Sequence, residues 1–266
     1  MKKQKHDQEI ERKHLINKVA IGIGKRIELS DKLITFSLIN FPLEKNLAEY
    51  LSKGIIENKS IQGVYVNNCQ MSIESYEILL KGLLNHEKIE YLDLSFNNLE
   101  DKYGNMIARI IARQTYRRDQ VIWLYGLRNE YPLNNDYTKG LISINLRGNR
   151  LSSYSADCIK TSLASDQYVR FIDLSQNNFD KDGCKQFIHM LRQNVTLLNI
   201  DLRENPGYDE NIHTRIVMKM SKNIRHLYQQ FQEGVYSENE FENFKQFIDT
   251  SFFDLDIPQQ IVDYYN

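Results

Sequence analysis

The sequence predicts an α/β solenoid in which a strand, a turn and a helix recur with one period. Three observations predict it. Four segments read alike: "IEYLDLSFNNL" from Ile89, "LISINLRGNRL" from Leu141, "VRFIDLSQNNF" from Val169 and "LLNIDLRENPG" from Leu197. Their ninth residues, Asn97, Asn149, Asn177 and Asn205, extend upstream to Cys69 and Phe41 in weaker copies, with spacings of 28, 28, 52, 28 and 28. A second apolar row keeps the same register, with Leu51, Leu79, Ile107, Ile159 and Phe187 ten residues after each of the first five anchors. Ile55, Leu83, Ile111, Leu163 and Leu191 follow four residues later, on the same helical face.

The four segments fit the leucine-rich-repeat template L-x-x-L-x-L-x-x-N-x-L, with Gly207 alone departing from it in the last place. One such unit cannot bury its apolar stripe, so its neighbours must cover it. Strands stack at about 4.8 Å, whereas helices with side chains need roughly 10 Å. The expected form is therefore a ribonuclease-inhibitor-like horseshoe, with parallel strands inside and helices outside. Each anchor amide can both donate and accept inside the turn that leaves its strand. Phe41 cannot, which marks the first unit as a modified end.

The elements follow in order. An N-terminal helix from about Glu9 to Leu29, with Ile10, Leu15, Val19, Ile23 and Ile27 on its apolar face, is expected to cap the first unit in residues 1–30. About six repeats occupy residues 31–224, and the last helix slips by one residue to use Ile212, Ile216 and Met220. Residues 225–266 are acidic and aromatic, and Phe241, Phe244, Phe247, Ile248, Phe252 and Leu255 give them an amphipathic pattern. Two roles fit that stretch, a cap on the last unit or a docking segment for a partner.

The spacing of 52 is 24 residues too long, and the excess lies around residues 113–137. The helix there begins near Lys102 and meets no breaker before Gly126. Carried to Asn129 it would be about 42 Å long. "PLNNDYTKG" then returns the chain to the next strand. The extension is either a brace against its neighbours or a projecting partner site, for which Arg117, Arg118, Trp123 and Arg128 are the candidate contacts.

Chemistry is not indicated. A formal net charge of −1 gives no electrostatic case for nucleic acid, and nothing has the length of a membrane span. Three cysteines without paired spacing fit a reduced cytosolic setting, with no disulfide framework and no zinc site. "IGIGK" at Ile21–Lys25 lacks the spacing of a phosphate loop, and the six histidines share no i, i+4 pair. Asp173 and Asp201 imitate a catalytic carboxylate pair, yet no nucleophile or histidine stands in their row. Polar and aromatic strand positions on the inner face, namely Tyr65, Tyr91, Asp93, Arg147, Phe171, Asp173 and Arg203, read instead as an exposed protein-binding surface. The expectation is a non-enzymatic protein with no cofactor, metal, membrane or small-molecule substrate.

The insertion also carries a resemblance. Gln114, Thr115, Arg117, Arg118, Trp123, Leu127 and Arg128 spell Q-T-x-R-R-x-x-x-x-W-x-x-x-L-R. That pattern resembles the insertion of the seventy-eight-kilodalton centrosomal leucine-rich repeat family, and "LLNIDLRENPGYDE" resembles its last repeat. The similarity covers roughly Ile61 to Asn223. It implies a scaffold of the centriole, basal body or cilium that works through protein contacts and carries no catalytic residues. The alternative is a general cytosolic interaction module, an enzyme inhibitor or ubiquitin-ligase adaptor, using the inner face.

Overall fold

The computed structural model describes residues 2–129 and 139–235, together with 238, 241, 242 and 244, and only the backbone of residues 2–10 and 13. The expected Ile10 contact, most of the returning loop, and Phe247, Ile248, Phe252 and Leu255 lie outside the described side chains. Among the described residues helices and strands alternate: α1 (Lys2–Leu29), β1 (Thr35–Ile39), α2 (Lys45–Glu57), β2 (Gly63–Asn67), α3 (Ile73–Asn85), β3 (Tyr91–Asp93), α4 (Asp101–Leu127), β4 (Ser143–Asn145), α5 (Ser153–Ser165), β5 (Phe171–Asp173), α6 (Lys181–Met190), β6 (Asn199–Asp201) and α7 (Glu210–Gln232). The chain forms two compact units, Met1–Asn98 with Arg109–Leu141, and Leu99–Ala108 with Ile142–Asn266.

In the first unit β1, β2 and β3 pair in parallel, and the register places Thr35 beside Gly63 and Gly63 beside Tyr91. Each step is one 28-residue period, so the repeat of the sequence is the repeat of the sheet. Leu51 and Ile55 of α2 and Leu79 and Leu83 of α3 are buried beneath it, with Val64, Val66 and Leu92 from the strands. Asn97 behaves as an anchor should. Its Oδ1 accepts the Cys69 amide at 2.8 Å, and its Nδ2 donates to Val66 O at 2.6 Å. At the preceding anchor Cys69 reaches the equivalent carbonyl, with its thiol donating to Leu38 O at 3.2 Å. Burial pushes that thiol above its ordinary value, which makes it a structural donor rather than a nucleophile.

The cap α1 is present, but its buried face differs from the expected one. Leu15 and Val19 are exposed, whereas Ala20, Gly24 and Ile27 are buried. The reason is proximity: a Cβ at Gly54 of α2 would come within 2.6 Å of Gly24 O. Small residues let the two backbones approach, and the apolar face turns with them. The glycines of "IGIGK" thus lie within a helix, and Gly24 serves its packing.

In the second unit β4, β5 and β6 repeat the pattern, with Ser143 beside Phe171 and Phe171 beside Asn199. Ile107, Ile159, Leu163, Phe187, Leu191, Ile212, Ile216 and Met220 are all buried. Asn177 donates to Leu146 O at 3.0 Å and accepts the Leu151 amide at 3.1 Å; Asn205 donates to Leu174 O at 3.0 Å and accepts the Phe179 amide at 3.1 Å. Asp180 and Asp209 cap α6 and α7 by accepting the amides of Gly183 and Ile212. Beyond the last strand, Phe241 packs with Phe171, Leu198, Ile224 and Leu227, stacked on Phe231 at 4.0 Å between ring centres.

Candidate functional site: an extended outer helix

After each of α2, α3, α5 and α6 a polar residue accepts backbone amides of the segment that leads to the next strand. Asn58 follows α2; its Oδ1 accepts the amides of Ser60 at 2.8 Å and Ile61 at 2.7 Å, while its Nδ2 donates to Ile27 O at 2.6 Å. His86 follows α3, accepting the Lys88 amide on Nδ1 at 3.2 Å and meeting Asn58 O with Nε2 at 3.1 Å. Asp166 follows α5 and accepts the amides of Tyr168 and Val169. Asn194, after α6, accepts those of Thr196 and Leu197. Positions 58 and 86 are one period apart, and one more period lands on Gln114.

Gln114 does not end its helix, because α4 runs on to Leu127. It performs the same task with a longer side chain. Its Oε1 accepts the Leu141 amide at 2.7 Å, at the start of the segment leading to β4. Its Nε2 reaches back to His86 O at 3.4 Å. One turn further on, Arg118 donates from Nη2 to Leu141 O at 3.2 Å. Leu141 is thereby held by both its amide and its carbonyl. Gly140 makes this possible: its φ of 145° is closed to other residues, and a Cβ there would overlap the Arg118 guanidinium. Thr115 is buried too and returns its hydroxyl to Ile111 O at 2.9 Å.

The insertion motif therefore divides. Arg118, expected among the partner contacts, is only 4% exposed and is part of the clamp. Arg117 is half-buried and ion-paired with Glu87. The outer part of the helix is open: Trp123 is 62% and Leu127 65% exposed, with Tyr116, Leu124 and Arg128 exposed beside them. Tyr116, Asp119, Gln120 and Trp123 wall a shallow, almost wholly apolar depression, and Gln120 Nε2 donates to the Tyr116 hydroxyl at 2.6 Å. The base is thus bonded to its neighbours and the tip is exposed.

The inner-face candidates fare differently in the two units. In the first, Tyr65, Tyr91 and Asp93 are half-buried. Burial, with Glu90 and Tyr65 nearby, pushes the Tyr91 hydroxyl up to about 12, so it remains a neutral phenol. Asp93 Oδ1 accepts the Ser95 amide at 2.8 Å. In the second unit the expected exposure of Phe171 is not found. It is 6% exposed, because Ile224 and Leu227 of α7 and Phe241 beyond it cover that sheet face. Asp173 is buried as well, which raises its carboxyl; its Oδ1 accepts the Ser175 amide at 2.9 Å. Arg203 folds back on Asp201, with Nη2 to Oδ2 at 2.6 Å, and Arg147 pairs with Glu204 at 3.5 Å. Much of this polar row is spent on internal bonds.

The repeat, its asparagine ladder and its parallel strands define an α/β leucine-rich-repeat protein. The tropomodulin C-terminal domain of Caenorhabditis elegans shares the fold at a TM-score of 0.52 and 11% identity, over 80% of this chain and 98% of that one. No protein-family model matches the chain. It resembles the centrosomal seventy-eight-kilodalton family. It is 28% identical over 212 residues to the "Centrosomal protein of 78 kDa" of Mus musculus, and 27% identical over 207 residues to that of Homo sapiens. These alignments take in 79% and 77% of this chain but only 26% and 30% of the two relatives.

Proposed function

We propose that this chain is a non-enzymatic protein-binding scaffold of the centriole, basal body or ciliary axoneme, and that the outer half of α4 is the surface it offers. The observation that carries the reading is Trp123, a large aromatic left 62% exposed on a helix whose base is clamped. Aromatic residues on rigid supports dominate the energetics of protein interfaces. The centrosomal names of the relatives support a centrosomal site. Replacing Trp123 and Arg117 by alanine together, and imaging the tagged protein in its own cell against a basal-body marker, tests it. Loss of the centriolar signal from a folded variant is the expected result. Retention of the signal would make the extension merely structural.

A second reading, a general inhibitor or adaptor module, draws on the half-buried Tyr65 and Tyr91 of the first unit. It requires that Tyr91→Ala with Asp93→Ala remove a partner in a pull-down while leaving the location unchanged.

A further inference from the structure

Arg109, Arg113, Tyr116, Gln120, Trp123 and Leu127 follow one another along α4 at steps of four, three, four, three and four residues. All six are exposed. That rhythm averages 3.6 residues, one straight face of an α-helix, and its alternation of fours and threes is the spacing at which one helix presents a seam to another. At about 100° per residue the seam lies roughly opposite Gln114 and Arg118, which face inward. The seam is some 27 Å long at 1.5 Å per residue. Resting on the scaffold reading above, we infer that it is a docking site for an acidic amphipathic helix of another protein.

Charge and shape choose that occupant. The half nearer the clamp carries Arg109 and Arg113, and neither meets a carboxylate among the described residues. The outer half carries Trp123 and Leu127, with Arg128 beside them. Of the charged side chains from 109 to 128, five are arginines and one is Asp119. An apolar seam flanked by glutamate or aspartate satisfies both halves, since carboxylates pair with arginine in a fixed fork while leucines cover the tryptophan. A helix rather than a strand fits, because every backbone group of α4 between its ends is already bonded within the helix. A second copy of this chain fits poorly. In a parallel pair Arg109 and Arg113 would each face their own like, and in an antiparallel pair centred on Gln120, Arg113 would be set against Leu127.

Trp123, the only tryptophan, reports its own burial. The probe is a synthetic helix of about four heptads with leucine at its seam and glutamate flanking it, compared with the same peptide carrying lysine in place of glutamate. With the full chain, the glutamate peptide should shift the Trp123 emission to the blue. It should bind at least tenfold more tightly than the lysine peptide, and weaken as salt rises. Arg109→Glu with Arg113→Glu should reverse the preference, and Trp123→Ala should lose at least tenfold in anisotropy measurements. These positions are exposed, so circular dichroism and Tm should match those of the parent.

Equal binding of the two peptides, or binding that leaves the emission unmoved, overturns the inference. So would Trp123-dependent self-association in sedimentation, or Trp123-dependent binding to phosphatidylserine vesicles without peptide binding. If no peptide binds yet the Trp123 and Arg117 variant leaves the centriole, the partner chemistry is wrong and the scaffold reading stands. If the glutamate peptide binds as stated but the location is unaffected, the docking seam is real and the cellular reading falls.

Discussion

Gln114 accepts the amide of Leu141 at 2.7 Å across an intervening stretch that doubles the length of the helix it starts from. The same task falls to Asn58 and Asn194 on neighbours two and three residues away. A glutamine is needed because α4 continues and the acceptor must reach out from its side.

Replacement of Gln114 by alanine leaves the buried Leu141 amide without that acceptor. The expected cost is about 1–3 kcal/mol, read as a lower midpoint in urea unfolding. Gln114→Asn, one methylene shorter, should not recover it. An alanine at Gln114 with parental stability would remove the clamp as an energetic feature.

Trp123→Ala should behave in the opposite way. Its side chain is mostly exposed, so stability should change by no more than about 0.5 kcal/mol. Differential scanning calorimetry of this variant beside Gln114→Ala would separate the tip from the base within one motif.

Acid should act through His86. Burial lowers its pKa below the ordinary 6.5, and a proton on Nδ1 would break the bond that Nδ1 accepts from the Lys88 amide. The unfolded chain then takes up this proton more readily than the folded one. Stability from this group is therefore complete above about pH 6.5 and declines as the pH falls below it. His86→Asn, which installs the residue found at 58 and 194, should keep the fold and flatten that limb in unfolding measured from pH 7.5 downward.

Phe241→Ala tests the cover on the second unit. Phe171, Leu198, Ile224 and Leu227 would lose a common neighbour, at an expected cost of about 3 kcal/mol. The cost should shrink in a Phe171→Ala background, because the two rings share one cluster. Additive losses would mean that they stabilise the protein independently.

The periodic part of this molecule was legible because periodicity is what the sheet itself obeys. Rows such as Leu79, Ile107, Ile159 and Phe187 have one environment each, and the structure buries all four. The helix-end row is not legible in the sequence, although 58, 86, 114, 166 and 194 keep the same spacings, because it mixes asparagine, histidine, glutamine and aspartate. Only their shared task, accepting a backbone amide, unites them. Arg118 and Phe171 misled for a related reason. An arginine in an insertion and an aromatic on a strand look like contact residues until the segment that returns over them is placed. The offset face of α1 was likewise hidden in two glycines whose meaning depends on a neighbour thirty residues away.

The double hold on Leu141 also tells an engineer where this chain can be lengthened. Whatever lies between Arg128 and Lys139 begins after the last clamp residue on the helix and ends before the first one on the return. A reporter domain or foreign epitope spliced there would leave Gln114, Arg118 and Gly140 to re-form the same closure, much as a zip resumes past a stitched-in pocket.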